Sequence, residues 1–198
     1  TGAAQTIASL AGAGLVTSAT GVLTVGDAQN LSSAFSGLLT NTGGIAKVGS
    51  GVLTLSGPNT GAGSVTVTTG TLRGLDLPTV FGTGAVSLNG GALDLRANTT
   101  QTFGVGATTV NASSTINVQN NGAGTGNVLS IAALNFTGSN GLSVTGGNGY
   151  WLNTGAVALT NAAQPVDVGA GVTALFGGVI SGAGFGLNKT GEGTLVLA

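Results

Sequence analysis

The chain has 198 residues, of which 5% are charged and 41% hydrophobic, and it carries 39 glycines and a formal net charge of −1. This hydrophobic fraction excludes charge-driven disorder, and the lack of a three-residue glycine period excludes collagen. Four cationic side chains are too few for a basic nucleic-acid-binding surface, and the absence of cysteine excludes disulfides and thiolate metal sites.

Short segments that alternate apolar and polar residues follow one another along the chain. "GVLTLSG" (51–57) and "AVSLNGGALDL" (85–95) are typical. A period of two over four to six residues, bounded by Gly, Asn, Ser or Thr, predicts short β-strands. No apolar run is long enough to span a bilayer as a helix. We expect one side of the strands to form the core, with these residues inward: Leu53, Leu55, Leu88, Leu93, Leu95, Ile116, Val118, Ile131 and Leu142.

The Asn-Gly pairs between the strands are compatible with two architectures. Asn89–Gly90, Asn121–Gly122 and Asn140–Gly141 fit type I′ turns of β-hairpins. They also fit the corners of a coil, where Asn and Gly tolerate a left-handed backbone. Internal repetition decides between the two.

Two parts of the chain repeat each other. "IAKVGSGVLTLS" (45–56) aligns with "LNKTGEGTLVLA" (187–198) at a constant offset, and "FSGLLTNTGG" (35–44) matches "FGGVISGAGFG" (176–186) with one inserted residue. Units that cannot bury their own apolar face must stack, so this pattern predicts a β-solenoid. We therefore expect one segment over 1–198, with repeat-like motifs at 35–74 and 176–198.

The first repeat resembles a known family. "GGIAKVGSGVLTLSGPNTGAGSVTVTTGTL" (43–72) is similar to the passenger-associated transport repeat, also called the autotransporter-associated β-strand repeat. Gly61 stands where the family has Tyr, and Val52 where it usually has Thr. The resemblance implies an all-β, right-handed parallel β-helix exported to the cell surface. It implies no catalytic residue, because the motif carries none.

The sequence offers little material for catalysis. With no His, the usual base for a Ser or Thr nucleophile is missing. Lys47 and Lys189 would replace it only if buried, and we interpret both as solvated or corner residues. We predict no catalytic residue, cofactor or metal site, since the acids are widely spaced in sequence: Asp27, Asp76, Asp94, Asp167 and Glu192.

Tyr150 and Trp151 are the only Tyr and Trp, and they are adjacent. Exposed neighbouring aromatic rings would stack on a sugar or anchor a partner. Alternatively, one ring covers the core and the other a corner, which we favour because aromatic rings usually bury most of their area. Both residues remain candidates for a partner or sugar contact.

The sequence thus predicts a non-catalytic structural or adhesive β-helix segment of a secreted bacterial cell-surface protein, forming a stalk or fibre. The alternative is a carbohydrate-binding or carbohydrate-cleaving β-helix, and below it an ice-binding face suggested by "SVTVTTG" (64–70). Expected partners are further β-helix rungs of a longer polypeptide or stacked copies, and other cells, surfaces or glycans; nucleic acid and a membrane span in this segment are not expected. The expected location is extracellular, at the cell surface or outer membrane.

Overall fold

A computed structural model describes residues 2–160 and 163–198. All regular structure within these residues is β-sheet. In chain order the strands are β1 (Gln5–Ile7), β2 (Leu15–Ser18), β3 (Leu23–Val25), β4 (Ser33–Phe35), β5 (Leu38–Asn41), β6 (Ile45–Lys47), β7 (Val52–Leu55), β8 (Val65–Val67), β9 (Thr71–Leu75), β10 (Val86–Asn89), β11 (Ala92–Arg96), β12 (Gln101–Thr102), β13 (Thr108–Ala112), β14 (Ser114–Gln119), β15 (Val128–Ile131), β16 (Leu134–Phe136), β17 (Leu142–Gly146), β18 (Trp151–Thr154), β19 (Val157–Leu159), β20 (Gln164–Val168), β21 (Thr173–Phe176), β22 (Ile180–Ser181), β23 (Leu187–Thr190) and β24 (Thr194–Leu197).

The strands form three faces that run along the molecule. Face 1 has the order β1-β3-β6-β8-β10-β13-β16-β19-β22, and face 2 has β4-β7-β9-β11-β14-β17-β20-β23. Face 3 combines β2-β5 with β12-β15-β18-β21-β24. Between its two parts, backbone bonds of 3.0 Å link Leu39 N to Pro58 O and Asn59 N to Thr79 O. The chain visits the faces in turn, so it winds as a parallel β-solenoid of about eight turns, as predicted.

Each turn stacks in register on the turn before it. Val65 pairs with Val86 on face 1, and Leu72 pairs with Leu93 on face 2. One turn takes between 18 residues (Gln5 to Leu23) and 28 residues (Ser114 to Leu142), close to the length expected of one unit of a solenoid. Parallel in-register pairing places like residues above one another, so the inward side chains form continuous columns.

The predicted core is confirmed. All nine residues expected to point inward are buried, and the most accessible of them, Ile131, is 3% exposed. The columns also take up several aromatic side chains besides these nine residues. Phe81 and Phe103 lie with ring centroids 5.8 Å apart, and Phe136 and Phe176 are fully buried.

The Asn-Gly pairs lie at corners of the coil. All strand pairings in the described part of the chain are parallel, so the hairpin alternative is wrong for these pairs. Gly90 (φ +117°) and Gly122 (φ +115°) adopt the left-handed backbone that favours glycine. A polar side chain completes another corner: Oδ1 of buried Asn41 accepts hydrogen bonds from Gly43 N (2.8 Å) and Gly44 N (3.1 Å).

Candidate functional site

The structure separates the two adjacent aromatic residues that the sequence singled out. Tyr150 is fully buried, whereas Trp151, the first residue of β18, is 36% exposed on face 3. Neighbouring residues in an extended chain point to opposite sides, and this accounts for the difference. A partner or sugar contact by Tyr150 is therefore wrong for this fold, and Trp151 alone remains a surface candidate.

The Tyr150 hydroxyl links neighbouring turns of the solenoid by hydrogen bonds. Its hydroxyl donates to the Ala97 carbonyl oxygen (2.7 Å) and accepts from Nδ2 of Asn127 (3.1 Å). The ring is part of the hydrophobic core. Buried tyrosines usually find a partner for their polar end, so this residue has a structural role.

Trp151 lies in an outward row of face 3. It pairs with Val128 on one side and Thr173 on the other. Two residues along the same strand, Asn153 Nδ2 donates to Ser130 Oγ (3.2 Å) in the neighbouring turn. This surface offers one aromatic face beside amide and hydroxyl groups.

The two lysines lie in different environments. Lys47 is 2% exposed, and its Nζ donates to the carbonyl oxygens of Val48 (2.6 Å) and Gly49 (2.7 Å). Burial lowers the pKa of the Lys47 amine from its usual 10.5. Lys189 lies on an exposed segment. The interpretation as a solvated or corner residue agrees with the exposed position of Lys189. A solvated Lys47 is wrong, because this residue is buried at an inward position at the end of β6.

A ladder of polar side chains runs along the outer side of face 2. Strand pairing aligns Thr54, Arg73, Asp94, Asn117 and Thr145 across five successive turns. Asn117 Nδ2 donates to Asp94 Oδ1 (2.7 Å), and Thr145 Oγ1 donates to Asn117 Oδ1 (3.0 Å). Side-chain bonds thus reinforce the backbone pairing of adjacent turns.

Two arginines share one carboxylate at the centre of this ladder. Arg73 Nε lies 2.6 Å from Asp94 Oδ2, and Arg96 Nε lies 3.0 Å from the same oxygen. The Asp94 side chain is 4% exposed, whereas those of Arg73 and Arg96 are 30% and 25% exposed. The acid is enclosed and the guanidinium groups reach the surface, so the cluster presents positive charge to solvent.

Two shallow grooves lie on face 2 on either side of this cluster. The Arg73 groove is lined by Ser32, Ser33, Ala34, Val52, Thr54 and Arg73. The Ser143 groove is lined by Gly90, Ser113, Ser114, Thr115, Gly141, Leu142, Ser143, Pro165 and Asp167. Ser and Thr side chains contribute to both linings beside small or apolar residues. The second groove contains one carboxylate, Asp167, which accepts from Ser143 Oγ (3.3 Å) and Thr190 Oγ1 (3.1 Å).

The threonine-rich segment contributes to a single outward row on face 1. Thr66, in the centre of β8, pairs with Ala46 on one side and Ser87 on the other. Further along, the row continues through Thr109, Asn135, Ala158 and Ser181. The row mixes hydroxyl, methyl and amide groups, and Thr68 and Thr69 lie beyond the strand end, so the pattern is typical of an ordinary exposed strand.

Within residues 2–160 and 163–198 there is no cluster of three or more acidic, His or Cys side chains that could hold a metal ion. The same residues include no helix with the length and apolar character needed to cross a membrane.

Comparison with protein-family models, curated proteins and solved structures finds no match for this chain. The site must therefore be interpreted from its own residues.

Sequence reasoning did not find the cluster of Arg73, Asp94 and Arg96. "TLRGL" (71–75) and "ALDLR" (92–96) were both recognisable as strands, and residues 73 and 94 are 21 positions apart, close to one turn. That spacing is the signal that would have paired them. Pairing Arg73 with Asp94 from the sequence would require knowing the length of the turn between them. Turn lengths vary along the chain, so the sequence alone does not supply it.

Proposed function

We propose that this chain is a non-catalytic structural or adhesive β-helix segment of a secreted bacterial cell-surface protein, where it forms part of a stalk or fibre. The observation that carries the proposal is face 1, in which nine strands pair in parallel from Gln5–Ile7 to Ile180–Ser181. A solenoid of this kind contacts only its neighbouring turns, and each turn adds about 4.8 Å to its length. Its form is that of a spacer.

The composition of the surface supports the same function. Outward positions are mostly Ser, Thr, Asn and Ala, and the charged side chains are few. A nearly uncharged surface resists association poorly. The expected partners are therefore further turns of the same kind, in one long polypeptide or in stacked copies, together with cells, surfaces or glycans.

The resemblance of residues 43–72 to the autotransporter-associated repeat supports the extracellular location. The chemistry of face 2 supports a non-catalytic function over carbohydrate cleavage, because hydrolysis of a glycosidic bond commonly uses two carboxyl groups. The Ser143 groove has Asp167 alone, and Asp94 is engaged by two arginines.

Electron microscopy of the native surface assembly and deletion of this segment in the producing cell test the proposal together. We expect a rod shortened by about 40 Å, from about eight turns of 4.8 Å each, and weaker attachment to cells or surfaces. Unchanged rod length and attachment would contradict the proposal. Release of reducing sugar by the purified chain would favour the cleaving alternative.

A further inference from the structure

We propose that the Arg73 groove on face 2 binds a carboxylated polysaccharide. The carboxylate-binding residues are Arg73, which lines the groove, and Arg96, which lies beside it on the shared Asp94 carboxylate. This inference goes beyond a structural or adhesive function. Its test measures binding by the purified chain, whereas the proposed function is tested by rod length and attachment. The two can therefore fail separately.

Both arginines have N–H donors that the ion pairs with Asp94 leave unused. A guanidinium group carries five N–H donors. Arg73 and Arg96 each bond Asp94 through Nε, and no acceptor for their terminal nitrogens occurs among the described residues. Both side chains are partly exposed. The terminal N–H groups are available to a ligand in the fork geometry that suits carboxylate.

The cluster of Arg73, Asp94 and Arg96 carries a net positive charge. Two guanidinium groups face one carboxylate, which leaves an excess of one positive charge. Lys47 is buried and Lys189 lies near the other end of the solenoid, so this pair is the main concentration of accessible positive charge in residues 2–160 and 163–198. Asp94 holds both Nε atoms on one oxygen and so fixes the two groups side by side.

The Arg73 groove has a lining of small polar and apolar side chains that extends along the solenoid axis. Ser32, Ser33 and Thr54 contribute hydroxyls to the lining. Ser32 Oγ accepts from Val52 N (3.0 Å) and Ser33 Oγ accepts from Leu10 N (3.3 Å), so these two hydroxyls face a ligand chiefly as O–H donors. The apolar lining residues Ala34 and Val52 are small. The lining crosses three turns, since β4 pairs with β7 and β7 with β9. Turns about 4.8 Å apart present donors and acceptors at regular intervals along the axis. This suits an extended polymer with repeating hydroxyl groups.

A protein partner fits this lining less well. Protein interfaces depend on buried aromatic or large aliphatic anchors, and the Arg73 groove offers no deep apolar pocket for one. Sugar hydroxyls pair with Ser and Thr hydroxyls, and a uronate carboxylate pairs with the arginines. The groove therefore matches a polyuronate better than a folded partner.

The test measures binding of the 198-residue chain to alginate, a linear polymer of uronic acids, by isothermal titration calorimetry. Dextran serves as the neutral polysaccharide and poly-glutamate as the acidic peptide. We expect alginate to bind and dextran and poly-glutamate to bind far more weakly. The affinity for alginate should fall as salt is raised, because exposed charges are screened.

Variants locate the site. Arg73→Gln and Arg96→Gln should each weaken alginate binding about tenfold, the value of one charge-assisted hydrogen bond. Lys189→Gln removes the same charge elsewhere and should leave binding unchanged, as should Trp151→Ala on face 3. Thr54→Glu, which leaves both arginines and Asp94 in the sequence, should also abolish binding by placing a negative charge beside Arg73 in the groove. It keeps the proposal testable if an arginine variant unfolds.

Four results would overturn the proposal: no binding of alginate, equal binding of dextran, tighter binding of poly-glutamate, or loss of binding in Trp151→Ala with the arginine variants unaffected. The third would identify an acidic peptide as the ligand, and the fourth would move the glycan site to face 3.

Discussion

Lys47 and Lys189 make the same pair of hydrogen bonds on two different faces of the solenoid. Lys47 Nζ donates to the carbonyl oxygens of residues 48 and 49, and Lys189 Nζ donates to those of residues 190 (3.0 Å) and 191 (2.8 Å). The following glycines, Gly49 (φ +71°) and Gly191 (φ +77°), have the same left-handed backbone. The repeated Lys-x-Gly sequence therefore encodes one particular corner, in which the ammonium group closes the turn.

The two corners differ in what covers them. Gly70 of the next turn lies over Lys47, so close that a Cβ at this position would be 2.9 Å from Nζ. Lys189 belongs to the last described turn and is exposed. The pair therefore separates the effect of burial from the effect of the local hydrogen bonds.

We expect Lys47→Met to lower the free energy of unfolding by about 1–3 kcal/mol, because two corner carbonyls lose a charged donor. Lys189→Met removes the same local bonds from an exposed corner and should change stability little. Urea unfolding followed by circular dichroism measures both. If the free energy of unfolding falls by the same amount in both variants, coverage by the next turn does not increase the contribution of the lysine to stability.

Stability should also depend on alkaline pH through Lys47. Burial lowers the pKa of its amine in the folded chain, whereas the unfolded chain keeps the value of 10.5. Between these two pKa values the unfolded state binds more protons, so the free energy of unfolding rises with pH until about 10.5. The sequence, with no His or Cys, predicts little change between about pH 5 and 9.

The pH prediction is checked by urea titrations at a series of pH values on the parent chain and on Lys47→Met. The rise should be present in the parent and in Lys189→Met, and absent from Lys47→Met. Identical profiles for the parent and Lys47→Met would contradict the assignment.

How far the sequence predicts this structure depends on the range of the interaction. Alternation is local, so it placed Leu53 and Leu55 in the core correctly. The repeat predicted stacking, but corresponding strands of its two copies lie on different faces of the solenoid. Strands β6 and β7 join face 1 to face 2, whereas β23 and β24 join face 2 to face 3. The motif specifies strand, corner and strand, and the intervening turn lengths decide the face.

Contacts between turns were harder to predict for the same reason. Arg73 meets Asp94 only because the turn that separates them has its particular length. The sequence favours a solvated or corner position for Lys47, because lysines are rarely buried without partners. Its partners are carbonyl groups of its own corner, which no side-chain pattern reveals.

Leu55→Asp tests the face assignment. Leu55 is 1% exposed and pairs with Phe35 and Gly74 in adjacent turns. An unpaired carboxylate there costs several kcal/mol, so we expect the variant to unfold. Thr54→Asp, on the outward side of the same strand, should remain folded. If Leu55→Asp has the same melting temperature as the parent chain, the assignment of Leu55 to the inward side of β7 is wrong.

Thr108→Val should stabilise the chain. Thr108 is fully buried between Val86 and Leu134 on face 1, and its Oγ1 has no hydrogen-bond partner within residues 2–160 and 163–198. Replacing the hydroxyl with a methyl removes the cost of burying an unpaired polar group, about 1–2 kcal/mol. Thr109→Val, at the neighbouring outward position, is the control and should have little effect. A lower melting temperature for Thr108→Val would indicate that the hydroxyl bonds a buried water molecule.

Tyr150→Phe tests whether the buried aromatic residue holds turns together through its hydroxyl. The hydroxyl bonds Ala97 O at 2.7 Å, 53 residues earlier in the chain, and Asn127 Nδ2 at 3.1 Å in the turn between. Phe keeps the ring in the core but leaves the Ala97 carbonyl without this donor, so we expect a loss of about 1–2 kcal/mol. For a chain of this length that corresponds to a fall in melting temperature of roughly 2–8 °C. Trp151→Phe, which changes the adjacent exposed ring, is the matched control and should melt close to the parent. If Tyr150→Phe also melts like the parent, the link between the three turns rests on ring packing and backbone pairing alone.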